Sequence, residues 1–331
     1  MAAFRWGILG PGTIAHKFAD ALAGAPDAVL HAVGSRDEDR AAAFAARHAD
    51  RNPGRIRTYG DYEALAADPD LDAVYIATPH PMHAEHTQLC LERGIPVLVE
   101  KPMAIDAASE RRMADTARRK GVFLMEAMWS RFLPATRLVR SLLDSGRIGE
   151  PRLVSADMCF SLRRDPAHRV YDPQLAGGGI LDVGIYLMAF TSLVFGAHPL
   201  AADGYVHIGP TGVDEEAAVL LRYDGDKMAS LCCAIRAFGA NEGHILGTDG
   251  RIDLSPFWGA QSVRIADFGG EEVLACPFDI NGFEYEIREA MDCIRGGRTE
   301  SPELPLSESI AMMDILDGLR RKWGYRYPME Q

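Results

Sequence analysis

Lys101 closes the run Val97, Leu98, Val99, Glu100, Lys101, Pro102. An apolar run that stops at charged residues reads as a buried parallel strand, and the carboxyl ends of such strands are where open α/β sheets bind ligands. An amine held there can polarise a substrate oxygen or exchange a proton with it. The competing reading is a surface turn after a strand, with Pro102 keeping a helix from starting early. A second pair is Asp182 and Tyr186, in a helical pattern over residues 180–195 announced by Gly177, Gly178 and Gly179. Four residues apart they share a face, and a carboxylate beside a phenol makes an acid/base pair; the alternative is a buried tyrosine bonded to a capping aspartate. The rest of that helix is apolar (Leu181, Val183, Ile185, Leu187, Met188, Phe190), so it must lie against a core.

A third group opens the chain. The strand 4–9 runs into Gly10, Pro11, Gly12, Thr13, Ile14 and Ala15, followed by a helical pattern. Gly10 permits a tight turn, Gly12 leaves room for a pyrophosphate, Ala15 lets helix and strand pack closely, and the amides around Thr13 and Ile14 meet the phosphates. The next strand, 29–34, ends in Ser35 and Arg36, with Arg40 one turn on. NAD-binding domains carry a carboxylate there to bind the adenosine ribose. A hydroxyl and two guanidinium groups suit a 2′-phosphate instead, so NADP(H) is the expected cofactor and NAD(H) a possible one. A solvated helix start, with Asp37 and Glu38, is the plainer alternative. The loop Thr78, Pro79, His80, Pro81, Met82, His83 falls on the same sheet edge and with His86 spells HxxHxxH. No carboxylate or cysteine at ligand spacing completes a metal site. His80 and His83 are therefore expected to wall a nicotinamide pocket, with a helix N-cap region as the bland alternative.

These residues need elements to hold them. Strands at 4–9, 29–34, 73–77, 97–99 and 122–125 alternate with helices at 81–93 and 106–120, which predicts a doubly wound parallel sheet. From residue 152 the pattern changes to strands at 153–160, 217–223, 228–235, 244–246 and 263–266, separated by turn residues such as Asp224, Gly225 and Asp249, Gly250. The expected fold is α/β: an N-terminal Rossmann domain over residues 1–125, then an α+β domain over 126–331 with a large, mostly antiparallel open sheet. The loop 161–176, with Arg163, Arg164, His168, Arg169 and Tyr171, reads equally as a substrate lid or a solvated surface loop. Trp258 reads as an aromatic wall or as core.

A chain of 331 residues exceeds one hydrophobic core, and its 47% hydrophobic and 25% charged residues are those of a globular protein. A net charge of −12 gives no footprint for nucleic acid or an anionic membrane. No leader pattern opens MAAFRWGILG, and no run reaches 18 uninterrupted apolar residues. Six cysteines without CxxC spacing read as buried thiols, which together predicts a cytoplasmic protein.

The turn GPGTIA, the EKP ending at Lys101, MEAMWSRF at 125–132, GGGILDVGIY at 177–186 and TGVDEEA at 211–217 together resemble the glucose-fructose oxidoreductase, inositol dehydrogenase and related (Gfo/Idh/MocA) family. Within it they are most similar to the dimeric dihydrodiol dehydrogenase and NADP-dependent D-xylose dehydrogenase branch. Many members have His at the last position of DxGxY, where this chain has Tyr186. The resemblance spans the chain and implies an oxidoreductase moving hydride between NADP and a hydroxyl or carbonyl carbon of a sugar or cyclic diol, and a homodimer formed through the second domain's sheet. It matches the catalytic lysine to Lys101 and the helix pair to Asp182 and Tyr186, and adds Glu100, Trp129 and Arg131 to the cofactor residues. Tyr186 is expected to carry the proton, Lys101 to lower its pKa and polarise the substrate oxygen, and Asp182 to orient them; Lys101 as the proton carrier is the alternative. Met158, Arg163 and Trp258 are candidate substrate walls, and none separates a pentose from an aromatic diol. The runner-up activities are an NADPH-dependent ketosugar or anhydrosugar reductase and a non-catalytic dinucleotide-sensing regulator, against which the joint presence of Lys101, Asp182 and Tyr186 weighs.

Overall fold

The computed structural model describes residues 3–330. The chain divides into two compact units. The first takes in residues up to Ala104, Ala108–Trp129 and Asp279–Ser309; the second takes in Ile105–Ala107, Ser130–Phe278 and the chain from Ile310 on. A single boundary after residue 125 therefore describes the chain order but not the packing, because a C-terminal segment returns to the first unit.

The first unit holds a six-stranded sheet of β1 (Phe4–Leu9), β2 (Ala28–Gly34), β3 (Arg57–Tyr59), β4 (Ala73–Ile76), β5 (Val97–Glu100) and β6 (Leu124–Ala127), all pairs parallel, in the order β3-β2-β1-β4-β5-β6. The crossovers carry α1 (Thr13–Ala21), α2 (Glu38–His48), α3 (Tyr62–Leu65), α4 (His83–Glu92) and α5 (Ala107–Lys120). Val97, Leu98 and Val99 are fully buried, each contributing about 1.5–3 kcal/mol by leaving water. The strand order reverses between β1 and β4, and the crevice past the carboxyl ends at such a switch point is where doubly wound sheets take ligands.

The second unit begins with α6 (Pro134–Asp144) and β7 (Pro151–Cys159). A π-helical turn at Ile180–Gly184 then runs into α7 (Ile185–Phe195). Strands β8 (Ala201–Ile208), β9 (Asp214–Arg222), β10 (Met228–Ala234), β11 (Gly243–Gly247), β12 (Gly250–Leu254), β13 (Ser262–Asp267) and β14 (Gly270–Ala275) complete an eight-stranded sheet, β14-β13-β12-β11-β7-β10-β9-β8. Every pair is antiparallel except β7 with β10. Helix α8 (Glu284–Arg295) belongs to the first unit, and α9 (Leu306–Lys322) precedes the C-terminal segment of the second.

One face of the large sheet is core: Val154, Val219, Leu231, Ile245, Ile252 and Ile265 are buried, and α7 packs on β7 and β10. By length and composition alone the segment Pro173–Phe195 could cross a membrane, yet 83% of its most apolar window is buried inside the fold. The expectation of six buried thiols needs one correction. Neighbours on a strand point to opposite faces, so Cys233 is buried while Cys232 is exposed.

Candidate functional site

In the first unit the glycine turn has the shape expected of it. Gly10 has φ +94°, and a Cβ there would lie 2.8 Å from Thr78 Cγ2, so a side chain is excluded on both counts. Gly12 is different: the nearest atom to its notional Cβ is the Ala77 carbonyl oxygen at 3.9 Å. The chain itself has room for a side chain there, so the bare backbone is explained by something the chain must admit. Helix α1 starts at that point with no side-chain cap and no acidic residue in its first turn, and Ala15 is fully buried against the sheet. Uncapped amides at a positive helix end fit a pyrophosphate, with Thr13 exposed and Ile14 half-buried beside them.

At the end of β2, Ser35 is buried and its Oγ accepts from the Asp37 backbone N–H at 3.2 Å. Asp37 caps α2 by accepting from the amides of Asp39 and Arg40 at 3.0 and 3.3 Å. The plain helix start is thus present, with Asp37 as its cap, and Arg36 and Arg40 are exposed beside it.

Lys101 sits half-buried past β5, joined to Pro102 by a cis peptide bond. Its backbone is tied down on each side. Glu100 is buried; its Oε1 accepts from the Tyr75 hydroxyl and its Oε2 from the Lys101 amide at 3.2 Å. Met103 donates its amide to Glu126 Oε1 at 3.1 Å. Glu100, expected to touch the cofactor, is in the first instance a brace for the loop that holds Lys101.

His83 requires a correction. Its ring is fully buried, with Nδ1 2.8 Å from the Pro102 carbonyl oxygen and Nε2 2.7 Å from that of Thr78. Burial pushes it down to about 4, with the Lys101 charge adding to the effect, so it is neutral and donates to one carbonyl at a time. A ring with both nitrogens engaged inside the fold is not a pocket wall; it staples the Thr78 loop to the Lys101 loop. His86 Nδ1 lies 3.0 Å from Thr78 Oγ1, so the three histidines do not converge on a common point. His80 is half-buried, its ring 5.7 Å from that of His83, and Pro79 is exposed.

The segment after β6 departs from expectation as well. Trp129 is buried and stacks on Phe283 at 5.1 Å between ring centroids. Arg131, assigned to the cofactor, is buried in the second unit, where its Nη2 donates to Ser192 Oγ of α7 at 3.3 Å.

In the second unit Asp182 and Tyr186 are both buried, at 8% and 7% exposure. The helix carrying them begins as a π turn. A π turn takes more residues than an α turn, so four residues that would overshoot an α turn come closer to a full one, which brings the two side chains nearer to one line. Asp182 has a partner that sequence spacing did not reveal. Arg169 Nη2 lies 3.2 and 3.1 Å from its two oxygens. The loop around Arg169 is exposed from residue 161 to 169, yet it is anchored at several points: Arg164 forms a two-pronged pair with the buried Glu215 at 2.8 and 2.6 Å, and Tyr171 donates its hydroxyl to the Leu162 carbonyl at 2.9 Å. Arg163 remains exposed. Met158 is buried on β7, and Trp258 is half-buried with its ring 6.4 Å from Phe160.

Comparison with known proteins covers the whole chain. Residues 4–128 match the oxidoreductase family model for an NAD-binding Rossmann fold, and residues 136–253 match the Gfo/Idh/MocA C-terminal domain. Trans-1,2-dihydrobenzene-1,2-diol dehydrogenases from Mus musculus and Homo sapiens are each 38% identical, with 99% of this chain and of theirs aligned. A 3-ketoreductase from Actinomadura kijaniata, solved with NADP and TDP-benzene, superposes with a TM-score of 0.84 at 27% identity over 96% of this chain and 97% of its own. With both family models matched on the observed domains and its relatives aligned from end to end, the chain belongs to the Gfo/Idh/MocA oxidoreductase family.

Proposed function

We propose that the chain is an NADP(H)-dependent dehydrogenase acting on a hydroxyl-bearing carbon of a cyclic trans-diol or an aldose. The observation that carries it is the carboxyl edge of the first sheet, where an uncapped helix start with room at Gly12 shares one crevice edge with Lys101. The nearest support for the substrate class is the 38% identity to dihydrodiol dehydrogenases over the full chain.

NADP would supply the hydride acceptor in oxidation and the donor in reduction. Gly12 and the amides of α1 hold its pyrophosphate, and Arg36 and Arg40 its 2′-phosphate. Tyr186 Oη takes the hydroxyl proton in oxidation and returns it in reduction. Lys101 Nζ stabilises the negative charge that grows on the substrate oxygen. Asp182 holds the polar groups around Tyr186 in place. A second reading, an NADPH-dependent ketosugar reductase, is favoured by the structural likeness to a 3-ketoreductase.

The test is the formation of NADPH from NADP, with NAD in parallel, over trans-dihydrodiols, aldoses and inositols, and the reverse assay with ketosugars and NADPH. Turnover of diols or aldoses with NADP, lost by about 100-fold or more in Lys101→Met and Tyr186→Phe, is the expected result. Turnover only in the reverse assay establishes the second reading, and tight NADP binding without turnover in either direction overturns both.

We also propose a homodimer through the outer face of the eight-stranded sheet and a reducing, cytoplasmic setting. Strand register puts Tyr205, Leu220, Met228 and Val273 on that outer face, and all four are exposed. An apolar set of this kind on one side of a sheet whose other side is core fits a second copy of the chain.

A further inference from the structure

Asp214 opens β9 inside the motif TGVDEEA, and its side chain is fully buried. Its Oδ2 accepts the Ile180 backbone N–H at 2.5 Å, the amide that begins the π turn. Gly178, at φ +112°, has its notional Cβ 2.1 Å from Asp214 Oδ1, and that of Gly179 is 3.5 Å from Oδ2. Gly178 is therefore bare because this carboxyl occupies the space and its backbone is left-handed, while Gly179 lies in ordinary contact with the same carboxyl and Gly177 is held bare by the Val170 carbonyl oxygen at 2.4 Å. Two residues past Ile180 comes Asp182, and six past it Tyr186. No side chain of the helix itself caps that end, so the cap is supplied from another strand.

We propose that Asp214 is a positioning residue: its buried carboxyl fixes the first turn of the helix from which Asp182 and Tyr186 project, and so sets the placement of the proton-transferring pair. The inference rests on the reading of Tyr186 and Asp182 as that pair.

The surroundings make this a group that titrates near neutrality. Burial pushes Asp214 up to about 7, against the amide donors of Ile180, Asp214 and Gly179 and the Arg320 charge, which pull it down. The groups facing it are the Cys233 thiol from β10, Arg320 from α9, and the phenols of Tyr325 and Tyr327 from the C-terminal segment. Burial drives Cys233, Tyr325 and Tyr327 above their ordinary values. Burial also works against the Arg320 charge, but the hydrogen bonds the side chain donates to Glu330 and Asp317 outweigh it and keep the guanidinium ionised. None of these changes charge around pH 7, so Asp214 is the member of the cluster that does. Its folded value exceeds the ordinary carboxylate value of about 3.9. The stability it contributes is then fully present below pH 4 and is lost as pH rises through 7.

The experiment compares wild type, Asp214→Asn and Asp214→Ala in steady-state kinetics and in thermal unfolding from pH 4 to 9, with Tyr186→Phe as control. An amide keeps the acceptor for Ile180 but has one charge state. Asp214→Ala is expected to lower kcat about 10- to 100-fold, as a misplaced reacting group does, with KM for NADP within about twofold. Asp214→Asn is expected to restore most of kcat and to show a shallower decline in unfolding midpoint between pH 4 and 7 than wild type. Wild-type kcat in Asp214→Ala, or loss of NADP affinity in step with kcat, overturns the proposal. Should Asp214→Ala fail to fold, the unfolding profile of Asp214→Asn decides, and a slope identical to wild type overturns it. Wild-type kcat in Tyr186→Phe instead sinks the reading of Tyr186, leaving the pH slope to decide for or against the hold of Asp214 on the helix.

Discussion

Asp182 shows how a residue can be identified by type and spacing while its working partner escapes. Its spacing to Tyr186 is local, but Arg169 reaches it from a loop 13 residues away, and only the folded loop shows the pairing. The Arg169 side chain is 53% exposed and that of Asp182 12%. Solvent on the arginine side weakens the pair, so a charged hydrogen bond of about 1.5–3 kcal/mol falls to about 1 kcal/mol. Arg169→Met is therefore expected to lower kcat/KM about fivefold, with the effect shrinking as salt rises and screens the pair in the wild type. Kinetics at low and high ionic strength check this, and a loss that persists undiminished at high salt would assign the arginine to direct substrate contact instead.

Among the elements, α8 carries three glutamates, and two of them, Glu284 and Glu286, have opposite fates. Glu284 Oε1 and Oε2 accept the amides of Ile280, Asn281 and Gly282 at 2.8, 3.1 and 2.8 Å, closing the helix start. Glu286 is fully buried, and neither of its oxygens has a hydrogen-bond partner among the described residues. Burial, with the Glu100 charge second, raises it well above the ordinary carboxyl range, so it stays protonated and its stabilising contribution is lost as pH climbs through that raised value. Glu286→Gln removes the titration and keeps the shape. Its unfolding midpoint is expected to gain on wild type as pH rises above the ordinary glutamate value of about 4.3; parallel curves across the whole range would show that the carboxyl of Glu286 is not raised by the fold. Nothing in the sequence announced either role, because α8 sits beyond the strands that the period-two pattern picks out. The Rossmann half was legible because Gly10, Gly12 and Ala15 and the apolar run before Lys101 are local signals. Three strands of the second sheet were not. β8 and β14 form the two edges of the sheet and neither buries a residue, so no buried apolar face marks their sequences; β12 does alternate, with Ile252 and Leu254 buried, but it spans five residues and opens with Gly250 and Arg251, too short a signal to stand out. His83 escaped for the same reason as Arg169: a ring between two carbonyls is a fact of tertiary packing.

For the whole molecule, the asymmetry of the large sheet is the remaining consequence of its sequence. On β9 the inward residues Val219 and Leu221 are buried while Leu220 between them is 61% exposed, and Met228 on β10 is 53% exposed. Beside this apolar part the same face carries polar and charged groups that pair among themselves: the His244 ring with Asp253 at 2.7 Å, Arg251 with Asp253 at 3.0 Å, and Arg264 with Glu271 at 3.0 Å. A two-fold contact repeats the same patch on both partners, so an apolar strip can meet itself while an already neutralised ladder of charges adds no repulsion. A specific interface needs about 800 Å² from each partner, an area that an eight-stranded face can supply. The chain is expected to run at twice its 36.2 kDa mass in light scattering. Leu220→Lys with Met228→Lys places like charges across the two-fold contact without touching the buried face, and is expected to shift the mass toward a single chain while the unfolding midpoint of the monomer holds. A wild-type chain that stays at the single-chain mass at micromolar concentration would leave this face to some other partner.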